Sequence, residues 1–160
     1  MTTGTEMQRN RIKLYSFGIL TLLIMIMIFI FSAQDGTESG QLSTWLLQTA
    51  FGQWLMRVLP RLSDADNDYD LRKYAHMCEY MLLTLSSCGF FRELFLERIP
   101  AKTLAAGAAF CFAYACTDEW HQLCVPGRAG LFSDVMIDMV GVGVGLLLVF
   151  VYCLLRKERE

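Results

Sequence analysis

The sequence predicts an all-α membrane protein with four transmembrane helices and one extracytoplasmic amphipathic helix that is interfacial or re-entrant. The 160 residues are 54% hydrophobic and only 19% charged, whereas soluble domains carry about 25% charge. The segment from Leu14 to Phe31 has no charged residue over 18 positions, a helical length of roughly 27 Å. Three further apolar segments follow. The net charge of −2 provides no basic surface, so no nucleic-acid partner is expected.

The first predicted span, Leu14 to Phe31, follows a basic stretch within residues 1–13. A basic start also suits a secretory signal, but this apolar stretch is longer than a signal core. The sequence Ser32-Ala33-Gln34-Asp35 is also a poor cleavage site. We therefore expect a retained membrane helix preceded by a cytoplasmic N-terminus at residues 1–13.

The long connection from Ser32 to Leu71 contains the predicted amphipathic helix. Ser43 is a candidate N-cap for a helix from Thr44 to about Leu59. Apolar residues recur there at helical spacing, namely Leu47, Phe51, Trp54, Leu55 and Val58. About 16 residues is short for a span, so the helix is expected to lie on or dip into the outer leaflet, or to cover the bundle as a lid. The acidic run from Asp64 to Asp70 predicts a solvated linker.

Three further spans are predicted, from about Arg72 to Phe91, Lys102 to Leu123 and Ser133 to Leu155. Residues 14–155 then form a single transmembrane domain of a multi-pass cell-membrane protein, and residues 156–160 form a cytoplasmic tail. Four spans place both termini on one side, and that side collects nine of the 14 basic residues. Because cytoplasmic loops are enriched in Lys and Arg, both termini are expected in the cytoplasm.

Polar residues at the outer ends of the spans are the functional candidates, because a charge at membrane depth is costly unless it is paired or hydrated. Arg72, His76 and Glu79 share one face of the second span by their i, i+4, i+7 spacing, and Tyr80 flanks that face. One interpretation is an intrahelical ion pair beside a hydrogen-bonded histidine. The other is a cation that holds an anionic group, with a His/Glu pair for proton transfer.

A second polar group ends the third span. Asp118 and His121 are three residues apart and can face the same way, and so can Glu119 and Gln122. Pro126-Gly127 suits the centre of a type II turn that directs Arg128 back towards this group. These residues show no diagnostic metal-ligand spacing, so neither a metal nor another cofactor is expected.

The third group is Asp134 and Asp138, whose helical face continues with Gly141 and Gly145. The glycines should allow a neighbouring helix to approach closely. Asp138 should then meet a cationic or imidazole partner, one of Arg72, His76, His121 or Arg128. The three groups together form either an ion-pair network or a site for an amphiphile with a phosphate or carboxylate head group.

These residues resemble the VanZ-like family of bacterial membrane proteins. The resemblance covers roughly Phe31 to Gly145 and rests on four ordered motifs. They are Phe31-Ser32-Ala33-Gln34, Arg72-Lys73-x-Ala75-His76-x-x-Glu79-Tyr80, Asp118-Glu119-x-His121-Gln122-x-x-x-Pro126-Gly127-Arg128 and Asp134-x-x-x-Asp138-x-x-Gly141-x-x-x-Gly145. Ala33 departs from the family pattern, in which serine is frequent at this position.

The resemblance implies a small multi-pass protein whose named relative is associated with low-level teicoplanin resistance. We expect it to bind a lipid-linked cell-wall precursor or a lipoglycopeptide at the outer face, and to contribute to glycopeptide resistance or envelope homeostasis. The candidate binding residues are Gln34, Arg72, Tyr80, Asp118, Gln122, Arg128, Asp134 and Asp138. The sequence makes no prediction of oligomeric state.

The alternative is a membrane-embedded hydrolase or transferase that acts on a lipid-linked substrate. Glu79 or Glu119 would be the general base, and His76 or His121 would exchange protons. The two arginines, Arg72 and Arg128, would hold the anion. A proton-coupled carrier is disfavoured, because the cytoplasmic halves of the spans are expected to lack polar residues.

Overall fold

The computed structural model describes residues 4–62, 67–95 and 100–157, and within these ranges it contains six α-helices and no strand. The helices are α1 (Gly4–Ser32), α2 (Gly36–Gln48), α3 (Ala50–Val58), α4 (Asn67–Phe95), α5 (Pro100–Gln122) and α6 (Phe132–Lys157). The described part of the chain is therefore all-helical, as predicted. Helices α1, α4, α5 and α6 correspond to the four predicted spans.

Among the described residues, two helices combine the length and the apolar composition needed to cross a membrane: Met7–Ser32 and Phe132–Arg156. Only 11% and 22% of their most apolar windows are buried within the molecule. The core helix of a soluble protein would be mostly buried, so the outward apolar surface is consistent with a membrane protein. Helices α4 and α5 do not qualify by composition, and α4 turns several polar side chains towards the bundle interior.

Helix α4 is central to the bundle, because it packs against α1, α5 and α6. Its contact with α6 is the most extensive. There, a Cβ atom at Gly141 would overlap the carbonyl group of Met77, and one at Gly145 would crowd Thr84. The predicted close approach along the glycine stripe is confirmed.

Several polar side chains are buried in the half of the bundle formed by the second half of α4 and the start of α5, namely Thr84, Ser86, Ser87 and Thr103. In the predicted topology this is the cytoplasmic half, so the expectation that the cytoplasmic halves of the spans lack polar residues is wrong. The hydroxyl groups of Thr84, Ser86 and Ser87 donate hydrogen bonds to backbone carbonyls three or four residues earlier in α4. Intrahelical bonds of this kind let a small polar residue lie in an apolar interior, and Thr84 and Ser87 also contact the Cys111 thiol on α5.

The predicted single helix from Thr44 to Leu59 is wrong, because the chain turns a corner at Thr49. Thr49 has extended backbone angles, and its hydroxyl oxygen accepts a hydrogen bond from the N–H of Gly52 at 3.0 Å. It is the N-cap of α3, a role that suits threonine. A Cβ atom at position 52 would overlap the carbonyl oxygen of Leu46, so the corner requires glycine there.

Ser43, the predicted N-cap, lies within α2, and its hydroxyl group hydrogen-bonds the carboxylate of Asp68 in the first turn of α4. Asp70 in the same turn is fully buried. Residues 67–70 thus begin a helix, where acidic side chains complement the positive end of the helix dipole. The prediction of a solvated linker is wrong for this part of the acidic run, and residues 64–66 lie outside the described residues.

The α4–α6 contact can be tested with two glycine substitutions on α6. Gly141→Ala should lower the free energy of unfolding relative to Gly143→Ala by about 1–3 kcal/mol, because the added Cβ is forced against α4. A Cβ atom at position 143 would meet no atom within 4 Å. Both variants therefore gain the same helix propensity from alanine, and only Gly141→Ala introduces a clash. Thermal unfolding in detergent measures the difference. Equal stabilities would mean that α6 does not approach α4 at Met77.

Candidate functional site

The candidate site lies at one end of the bundle, where the end of α1, the start of α4, the end of α5 and the start of α6 meet. The candidate residues fall at these four helix ends and in the loop from Leu123 to Leu131. Helix α2 lies beside them, tied to α4 through the bond between Ser43 and Asp68. Residues that are distant in sequence are thereby brought to one end of the molecule.

A pocket of about 250 Å³ opens between α1, α2, α4 and the loop that follows α5. Its polar lining includes Gln34, Ser43, Arg72, His76, Glu79 and Arg128. Its apolar lining includes Phe31, Leu42, Trp45, Leu46, Leu71 and Ala75. The face of α4 that the i, i+4, i+7 spacing predicted is therefore the polar wall of a pocket, and α2 contributes an apolar wall.

His76 lies between two carboxylates. Its Nδ1 atom is 3.8 Å from Oε2 of Glu79 and 3.9 Å from Oδ1 of Asp138. Both distances are too long for a hydrogen bond, and neither His76 Nδ1 nor Glu79 Oε2 has a hydrogen-bond partner within the part of the chain that the structure describes. Of the four predicted partners of Asp138, the structure thus places His76 next to it.

The polar residues at the end of α5 are hydrogen-bonded within the protein. Oδ2 of Asp118 accepts a hydrogen bond from the Ser32 hydroxyl at 2.8 Å and one from the Gln122 amide at 3.2 Å. Glu119 accepts from the Gln122 amide at 3.0 Å and from the Leu131 N–H at 3.0 Å. These bonds connect α5 to α1 and to the residue that precedes α6.

Arg128 occupies the predicted turn and binds the end of α1. Gly127 has a φ of 73°, and the Arg128 N–H donates to the Val125 carbonyl at 3.2 Å, as a type II turn requires. The guanidinium donates to the carbonyls of Gln34 at 3.1 Å and Phe31 at 3.0 Å, which satisfies carbonyls at a helix C-terminus. Partial burial lowers the pKa of Arg128 from its ordinary value, but a guanidinium remains charged.

His121 does not reach the pocket that contains His76. Its ring stacks on Phe29 with a centroid distance of 4.5 Å, and it lines a separate, mostly apolar cavity of about 400 Å³. Tyr80 is fully buried in the core, and its hydroxyl has no hydrogen-bond partner. The candidate residues therefore divide into a group that lines the pocket and a group that surrounds it. The first group is Gln34, Arg72, His76, Glu79 and Arg128.

A protein-family model matches nearly the whole chain. The family model described as VanZ/LLP1 matches residues 17–155. The chain belongs to the VanZ/LLP1 family. The match extends beyond the motifs between Phe31 and Gly145 that indicated the resemblance, and it includes every candidate site residue. Neither the search of curated proteins nor the search of solved structures finds a match.

Sequence reasoning missed two contacts at the VanZ/LLP1 site. Lys73 forms an ion pair with Asp134 on α6 at 2.5 Å, and both side chains are largely buried. Asp68 accepts a hydrogen bond from the Ser43 hydroxyl and forms an ion pair with Arg72. Lys73 belongs to the motif of the second span and follows Arg72 directly, so it points about 100° away from Arg72 around the helix. This rotation was the signal in the sequence that Lys73 faces a different helix.

No group of three or more His, Cys, Asp or Glu residues is arranged to hold a metal ion within residues 4–62, 67–95 and 100–157. The carboxylates of Asp118 and Glu119 are instead bound by hydroxyl, amide and backbone N–H donors. These are neutral protein donors, so the two side chains have anchoring roles in this structure.

Glu119→Gln should therefore destabilise the protein. A glutamine amide cannot accept a hydrogen bond at both positions, so the Gln122 amide or the Leu131 N–H loses its acceptor. A loss of about 1–3 kcal/mol is expected, measured as a lower melting temperature in detergent. Glu93→Gln on α4 makes the same chemical change away from the site. Equal effects of the two variants would contradict an anchoring role for Glu119.

Proposed function

We propose that this VanZ/LLP1 protein crosses the cell membrane four times through α1, α4, α5 and α6, with both termini in the cytoplasm. The four helices contain 29, 29, 23 and 26 residues, and about 20 residues suffice to span a bilayer. Residues 14–155 then form a single transmembrane domain. Nine of the 14 basic residues lie on the cytoplasmic side in this topology, in agreement with the positive-inside rule.

The segment formed by α2 and α3 is proposed to lie at the outer membrane interface. Helix α2 packs against α4, whereas α3 packs mainly against α2. Trp45, Phe51 and Trp54 are each more than half exposed. Exposed tryptophans on a short helical segment suit the boundary between head groups and acyl chains.

The function that we propose is binding of an amphiphilic anionic ligand in the pocket beneath α2. The observation that carries this proposal is that the pocket places the cationic side chains of Arg72 and Arg128 beside an apolar wall. Guanidinium groups form strong, charge-assisted hydrogen bonds to phosphate and carboxylate. The apolar wall, which includes Leu42, Trp45 and Leu46, suits the first part of a hydrocarbon chain.

The size of the pocket favours a lipid-linked cell-wall precursor over a whole lipoglycopeptide. Sites that enclose drug-sized molecules measure about 300–1,000 Å³, and this pocket measures about 250 Å³. It has room for a head group or for a stretch of chain. The remainder of a larger ligand would lie outside, against α2 and α3. Holding such a molecule at the outer leaflet is the proposed contribution to teicoplanin resistance or to envelope homeostasis.

A second candidate function is hydrolysis or group transfer on the same class of ligand. It is favoured by the placement of His76 and Glu79 in the same pocket as the two arginines, with 3.8 Å between the nearest histidine and glutamate atoms. The pair would exchange protons with the ligand, either directly or through one water molecule. Glu119 and His121 do not line this pocket, so His76 and Glu79 are the acid–base residues in this second proposal.

The topology is testable with two cysteine substitutions at exposed positions. Gln53→Cys on α3 should add labelling by a membrane-impermeant maleimide in intact cells, relative to the parent protein. Arg9→Cys on α1 should add labelling only after permeabilisation, because the N-terminus is expected inside. Gel-shift labelling at matched protein levels measures both. Labelling of Arg9→Cys in intact cells would overturn the proposed orientation.

The role of the pocket is testable by teicoplanin susceptibility of cells at matched membrane levels of protein. Wild type should protect, whereas Arg72→Gln should return susceptibility to that of cells without the protein, because the pocket loses a cation. Arg92→Gln, at the opposite end of α4, should protect like wild type. Full protection by Arg72→Gln would contradict anion capture by that residue. Absence of protection by wild type would contradict the proposed link to teicoplanin.

A further inference from the structure

The pocket beneath α2 contains unsatisfied hydrogen-bonding groups of both kinds. Nε of Arg72 is buried and donates no hydrogen bond to any described residue, although Oδ2 of Asp68 lies 3.4 Å away. Oε2 of Glu79 is buried and accepts none, and the facing Nδ1 of His76 is 3.8 Å from it. A buried polar atom without a partner costs free energy. The best-matched ligand therefore supplies an acceptor at Arg72 and a donor at Glu79.

The charges around the pocket also favour a ligand that carries a positive group. Lys73 is already paired with a carboxylate of α6, and Arg128 donates to backbone carbonyls. Among the described residues, His76 is the basic group within 4 Å of Glu79 and of Asp138, and both contacts are long. A purely anionic head group would add negative charge beside these carboxylates. An ammonium group on the ligand would offset this negative charge. The offset matters most where water is scarce, because charges are poorly screened there.

The groups of the pocket are arranged in a definite order with depth. Glu79 follows Arg72 by seven residues, or about 10 Å along α4, and lies deeper in the bundle. Helix α2 crosses near the first turn of α4, where Ser43 bonds Asp68. The order from the interior outwards is therefore a carboxylate, then a guanidinium, then the apolar wall of α2. A ligand that enters head first would match it with an ammonium, then an anion, then a chain.

We infer that the phosphate-bearing ligand of this pocket also carries a primary ammonium beyond its phosphate, an arrangement that a phosphoethanolamine lipid reproduces. This inference rests on the proposed anion-binding function and adds the ammonium to it. A phosphoglycerol head group has the phosphate but no cation for Glu79. A phosphocholine head group has the cation but no N–H to donate to Oε2. The three head groups therefore separate the contributions of charge and hydrogen bonding.

The test uses purified full-length protein in a non-ionic detergent, titrated with dihexanoyl forms of these three lipids. Binding is followed by the fluorescence of Trp45, which lines the pocket, and a Trp45→Phe variant identifies its part of the signal. Wild type should bind the phosphoethanolamine lipid about tenfold more tightly than either of the others. Glu79→Gln should abolish this preference. Glu93→Gln, the matched control outside the pocket, should retain it.

The arms of the experiment separate this inference from the function on which it rests. Arg72→Gln should weaken binding of all three lipids alike, because each contains phosphate. If wild type binds the phosphoglycerol lipid as tightly as the phosphoethanolamine lipid, the inference is overturned while anion binding stands. If wild type binds none of them, both fail. Should Glu79→Gln not fold, the relative affinities of wild type for the three lipids still test the inference.

Discussion

The close approach of α6 to α4 is the contact on which the rest of the site depends. Gly141 leaves room for the Met77 carbonyl, and a side chain at that position would push the helices apart. One and two turns towards the N-terminal end of α6, Asp138 and Asp134 then come within reach of α4. Asp134 meets Lys73, and Asp138 lies beside His76. A stripe of two glycines thus determines which charges meet.

The polar residues at this end of the bundle have two different physical roles. Asp118, Glu119 and Gln122 are hydrogen-bonded within the protein, and they join α5 to α1 and to the start of α6. Arg72 and Glu79 instead line a pocket, and each has a buried atom without a hydrogen bond. Protein contacts account for the first group. The second group is where a ligand would gain most, and for that reason the functional proposals concern the pocket rather than the whole cluster.

The segment between α1 and α4 shows how local patterns can mislead. Ser43 and Thr49 are both residue types that favour helix N-caps, and both precede apolar residues. The chain uses Thr49, because Gly52 can pack against the Leu46 carbonyl and close the corner there. Ser43 is instead drawn into a bond with Asp68, a residue 25 positions away whose proximity follows from the packing of α2 on α4.

The sequence by itself determined the all-helical class, the approximate bounds of α1, α4, α5 and α6, the shared face of Arg72, His76 and Glu79, and the family to which the chain belongs. These features depend on hydropathy, helical period and motif order, which are local properties of the chain. The tertiary structure alone decided that Lys73 pairs with Asp134, that Arg128 binds carbonyls at and just after the end of α1, and that His121 faces a separate cavity. Such partners depend on how closely and at what rotation two helices pack, and residue spacing along one helix carries no information on that.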